Sequence, residues 1–126
     1  MADRPLSPHL QIWRWGPHMT VSILHRISGN GLATVGAAVL LYWLCSLASG
    51  EDAYNAFLGH AGAWYGKVVL IGLTWAFFNH MCSGLRHFVL DIGAGYELDG
   101  NRVGSLVSMA GGVVLTAALW AWLLLR

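Results

Sequence analysis

The stretch H-M-C-S-G-L-R-H-F-V-L-D at 80–91 places ionisable groups inside an apolar run that begins near Ala63. On a helix turning ~100° per residue, His80, Gly84, His87 and Asp91 fall within a sector roughly 60° wide. Imidazole and carboxylate groups are costly in hydrocarbon and normally face a cavity, a cofactor or another chain. Gly84, one turn from His80, removes side-chain bulk where something flat could lie against the backbone. An imidazole beside cleared space at mid-membrane depth suits axial ligation of a b-type haem. The same imidazole could equally donate a hydrogen bond to a neighbouring helix, and His87 could pair with Asp91 one turn on. Arg86 points about 120° from the His80 face, which favours phosphate or a soluble partner.

A second cluster opens the preceding apolar run: S-I-L-H-R-I-S-G at 22–29. Ser22, His25, Arg26 and Gly29 share a sector roughly 100° wide, so hydroxyl, imidazole and guanidinium face one way. A hydroxyl beside a guanidinium, just under a membrane surface, can hydrogen-bond a quinone carbonyl and its developing anion. Arg26 alone could instead snorkel to headgroups. Gly29, Ala33 and Ala37 continue as a small-residue row that allows close approach of a helix or ring system.

The elements that must carry these groups are membrane spans. The 126 residues are 56% hydrophobic and only 10% charged, a balance that suits a bilayer. The net charge of +1 implies neither nucleic acid nor an acidic substrate, and the acids are too sparse for a solvated acid–base enzyme. Cys45 and Cys82 fall in apolar runs without C-x-x-C spacing and read as packing residues. The expected fold is all-α: one domain, 1–126, with an arm at 1–18 and membrane helices at about 19–48, 63–92 and 103–125. All three prolines, Pro5, Pro8 and Pro17, lie in the arm, which reads as extended chain or a short interfacial helix. Trp13 and Trp15 suit the headgroup level. Residues 49–62 read as a connection with a solvated His60, and 93–102 as a polar turn. Val103 to Leu125 carries no ionisable group and reads as scaffold.

Positive charge orients the chain. Arg4, Arg14, Arg26, Arg86 and Arg102 stand against Lys67 and Arg126, placing the N-terminus and second loop in the cytoplasm. With no signal or transit pattern at the start, a complete chain would insert by its own spans, which favours a bacterial inner membrane. On that topology Ser22, His25, Arg26, His87 and Asp91 gather at the cytoplasmic level, with His80 ~10 Å deeper. The deep imidazole could ligate iron while shallower cations pair with haem propionates. His80 and His87 share one helix face and cannot flank one porphyrin. A bis-histidine haem therefore needs a second chain, and the expectation is a three-helix half of a heterodimeric bundle; a single-ligand haem within this chain is the alternative.

R-P-L-S-P-H at 4–9, H-R-I-S-G at 25–29 and H-x6-H-x3-D spanning G-L-R-H at 84–87 resemble the large cytochrome b anchor subunits of succinate dehydrogenase, respiratory complex II. The resemblance covers nearly the whole chain in order. It implies haem b with His80 as axial iron ligand, and a smaller membrane-anchor subunit supplying the second ligand. It implies haem contacts at His25, Arg26 and His87, and a ubiquinone site at Ser22, Arg26, Trp15 and Ile23. It also implies docking of iron–sulfur and flavoprotein subunits on the cytoplasmic face, where succinate oxidation would reside. A quinol:fumarate reductase anchor would carry a similar site. A haem-free docking subunit and a proton relay through His80, His87 and Asp91 are readings of a different class.

Overall fold

A computed structural model describes residues 13–126 of the chain. The R-P-L-S-P-H stretch, with Arg4, Pro5, Pro8 and His9, lies outside the described residues.

Among the described residues every regular element is helical. Helix α1 spans Pro17–Gly31, with proline in its first turn, where a missing N–H costs nothing. It runs through a π-helical turn, Leu32–Gly36, into α2, Ala37–Ala48. Together they form one apolar rod of 32 residues. Helix α3 spans Glu51–Gly62, α4 Trp64–Asp91 and α5 Leu98–Leu125. The α1–α2 rod, α4 and α5 are each long and apolar enough to cross a bilayer. At 1.5 Å per residue a 28-residue helix is about 42 Å long, so it reaches beyond ~30 Å of hydrocarbon into the headgroup layers.

Two elements depart from the sequence expectation. Residues 51–62 are helical rather than a plain connection. Gly50, at φ +105°, turns the chain, and Glu51 and Asp52 then occupy the first turn, where the helix dipole favours acids. Tyr54, Phe57 and Ala61 recur at helical spacing and are half-buried, and Tyr42 meets Phe57 edge-on at 5.2 Å between ring centroids. His60 therefore sits on a helix, exposed, 2.8 Å from the Tyr65 hydroxyl. The third membrane helix starts at Leu98 rather than Val103, because Gly93 and Gly95 absorb the turn at positive φ and Asp99 opens the helix.

The interior is small and polar. Among the described residues, the buried side chains include Ser28, Ser46, Asn79, Ser83, Ser105, Ser108 and Thr116, with only Val21 and Ala76 as buried apolar residues. Large apolar side chains lie outside, as expected where lipid is the solvent and close helix packing needs small residues. Helix α4 is central and packs against both α1 and α5. The π turn interrupts the small-residue row expected on the first span. Ala33 is exposed, and Gly36 faces Leu73 instead. Thr34 Oγ1 donates to the Asn30 carbonyl at 2.7 Å just there, a back-bond that competes with regular helix pairing.

Candidate functional site

The α1–α4 crossing brings the two polar clusters together. His80 Nδ1 lies 3.1 Å from the His25 backbone carbonyl. A carbonyl can only accept, so Nδ1 carries the proton and Nε2 is left with its lone pair in the ring plane. Ser28 Oγ donates to the same carbonyl at 3.0 Å and lies 3.5 Å from His80 Nδ1. Asn79 Nδ2 donates in turn to Ser28 Oγ at 3.4 Å. Ser28 and Asn79 are both buried, so this chain of hydrogen bonds is shielded from exchange with water.

The His80 ring is also held on its faces and edge. The His25 imidazole stacks on it with centroids 4.1 Å apart and planes 9° from parallel. The His87 ring stands 5.1 Å from His25, tilted by 50°. Gly29 lies against the ring edge between the two nitrogens: a Cβ there would fall 2.8 Å from His80 Cε1. A Cβ at Gly84 would meet nothing within 4 Å, so the space one turn along α4 is open, as its position in the sequence suggested. The expected layering needs correction. His25 stands level with His80, not a further two turns toward the membrane surface. The depth of each residue along its own helix is readable from spacing, but the register of α1 against α4 is not.

Among the described residues no group of three or more His, Cys, Asp or Glu side chains is disposed to hold a bare metal ion. The stacked imidazoles present ring faces to one another rather than converging nitrogens. Among the described residues, His80 Nε2 is a nitrogen left as acceptor by a hydrogen bond on the other side of its ring.

The second feature lies on another part of α1. Ser22, Ile23 and Arg26, with His18 and Met19, line an open cleft of about 410 Å³. Met19, Ser22, Ile23 and Arg26 follow i, i+3, i+4 and i+7 spacing, His18 precedes them on the same helix, and the whole lining belongs to α1. Trp15, expected in this group, does not line the cleft: its indole N–H donates to Thr20 Oγ1, and its ring meets Trp13 edge-on at 5.5 Å. His18 and Met19 were not singled out in the sequence, because the spacing argument began at Ser22. Ser28 and Asn79 were missed because serine and asparagine in a span pass for packing residues, and only the α1–α4 register gives them a role.

Arg86 turns toward α5. Its guanidinium donates to Asn101 Oδ1 and packs beside Gly104, where a Cβ would fall 3.7 Å from Nε. That contact ties the end of α4 to the start of α5. Asp91 is exposed at the end of α4.

The family described as succinate dehydrogenase/fumarate reductase transmembrane subunit matches residues 2–119. The chain belongs to that family. It is a multi-pass membrane protein and a subunit type of an oxidoreductase complex. It is 35% identical over 113 residues to a succinate dehydrogenase cytochrome b556 subunit of Paracoccus denitrificans, covering 90% of this chain and 86% of the relative. It is 34% identical over 117 residues to the protein of the same description from Rickettsia felis, covering 93% and 90%. A mitochondrial succinate dehydrogenase cytochrome b560 subunit of Mus musculus is 34% identical over 103 residues, 77% of this chain and 58% of that one.

Proposed function

We propose that this chain is the haem b-binding large membrane anchor of a succinate:ubiquinone oxidoreductase, with its N-terminus on the cytoplasmic side of a bacterial inner membrane. The observation that carries this reading is the His80–His25 carbonyl hydrogen bond. It fixes the imidazole as the tautomer whose Nε2 can bind iron, and a ligand histidine commonly has its other nitrogen anchored in this way. The open space at Gly84 suits a flat macrocycle beside the helix. Bound haem b supplies reversible one-electron exchange at its iron. His80 would hold the haem iron through Nε2, and His25, Arg26 and His87 would be further contacts of the haem.

His25 stacks on His80 and His87 shares the His80 helix face, so the second ligand to the iron would come from a smaller membrane-anchor subunit. The cleft at Ser22, Ile23 and Arg26 points to the same neighbour, since one helix supplies all its lining and another chain must close it. In this cleft Ser22 donates a hydrogen bond to a ubiquinone carbonyl, and Arg26 stabilises the negative charge that develops on that oxygen during reduction. Electrons reach the site from succinate through flavoprotein and iron–sulfur subunits on the cytoplasmic face, and succinate oxidation resides in those chains. The match to proteins named for succinate dehydrogenase favours this direction over fumarate reduction.

Purification in mild detergent tests the proposal. The expected product contains a companion membrane chain and gives a b-type α-band in the reduced-minus-oxidised spectrum. A colourless assembly, or one lacking a second membrane chain, would overturn it.

A further inference from the structure

We propose that Gly29 is a positioning residue for haem ligation: its missing side chain sets the ring orientation of His80. The inference rests on the haem reading above and assigns a role in it to a residue that touches neither iron nor quinone. A Cβ at Gly29 would lie 2.8 Å from His80 Cε1, 3.2 Å from Nδ1 and 3.8 Å from Nε2. It would press on the ring edge between the two nitrogens. What blocks it is the tip of a side chain, not backbone, so α1 and α4 need not separate. The ring must turn instead. Turning it breaks the 3.1 Å hydrogen bond from Nδ1 to the His25 carbonyl and re-aims Nε2. The 4.1 Å stack on His25 limits the directions in which the ring can go. Gly31, half a turn away on the same helix, has nothing within 4 Å of a built Cβ, so glycine content alone does not distinguish the two positions.

The test uses the whole membrane complex carrying Gly29→Ala, with Gly31→Ala as control, read by haem per complex and by the low-spin ferric haem EPR signal. That signal depends on the relative orientation of the two axial ligand planes. Gly29→Ala is expected to assemble, to shift that signal, and to retain haem roughly 10-fold less well, the lower range for loss of a ligand-orienting contact. Gly31→Ala is expected to match wild type in both. Wild-type haem content and an unshifted signal in Gly29→Ala would overturn the inference. If Gly29→Ala lowers assembly, the same substitution in a His80→Ala background must cause no further loss. An equal loss with and without the His80 ring would mean that Gly29 serves helix packing, and would overturn the inference too. A colourless wild-type complex would remove the parent reading, whereas a haem-containing wild type with an unaffected Gly29→Ala would remove this inference alone.

Discussion

The two seams of α4 use the same kind of residue for opposite ends. At the α1–α4 seam, Gly29 leaves room for an imidazole, and the obstacle to a Cβ is His80 Cε1 at 2.8 Å. At the α4–α5 seam, a Cβ on Gly112 would fall 2.9 Å from Asn79 Cα and 3.1 Å from Asn79 N. The first obstacle can rotate, while the second is a helix backbone. The rest of the α4–α5 seam follows suit. Ser108 Oγ donates to its own helix at Gly104 O, 2.9 Å away, and reaches the Cys82 carbonyl at 3.5 Å, and Gly111 sits over Cys82 Sγ. One seam holds an imidazole in position, and the other holds two helices together. Without water to drive association, van der Waals closeness of that second kind is a principal source of stability in a membrane bundle.

The contrast can be broken or sharpened by substitution. The largest effect is expected from His80→Ala, which should abolish the b-type α-band while the companion chains still co-purify. A variant that keeps the band would make the two seams equivalent scaffolds. Next, Ser22→Ala and Arg26→Leu, on the cleft side of α1, should lower quinone reductase activity. Losing a hydrogen bond to a charged or charge-developing group costs about 1.5–3 kcal/mol, roughly 10- to 100-fold. Succinate oxidation by an artificial dye should persist, and equal loss of both activities would indicate failed assembly. Gly112→Ala should do the reverse, costing about 1–3 kcal/mol through overpacking against backbone. Thermal melting of the complex would show this as a lowered midpoint, with the haem signal of the surviving fraction unshifted. The smallest effect is expected from Cys82→Ala, where a side chain at a groove is trimmed and both the band and the melting temperature should stay close to wild type.

Much of this contrast was not visible in the residue order, and the reasons are specific. The three spans were legible because long charge-free runs have one solution in lipid. His80 with Gly84, and Ser22 with Arg26, were legible because helical spacing alone puts each pair on a common face. Gly29 was legible only as a small residue, since its partner lies on another helix and the α1–α4 register decides which group it meets. The same register carried His25 to the level of His80. Helix α3 went unread because its acids and glycines suggest a loop, although Tyr54, Phe57 and Ala61 already carry the helical period. The start of α5 at Leu98 was obscured by Asp99 and Arg102, which delay the apolar run until after the helix has begun. Trp15 entered the quinone site only through the family resemblance, and ahead of α1 its indole turns to Thr20 instead.

The central claim is that Nε2 of His80 binds the haem iron from this chain's side. A His80→Gly variant of the intact complex, examined spectroscopically before and after adding free imidazole, tests it most directly. The account predicts that the low-spin b-type spectrum disappears in the variant and returns as imidazole fills the space the side chain left. A wild-type spectrum in the variant without imidazole would contradict it.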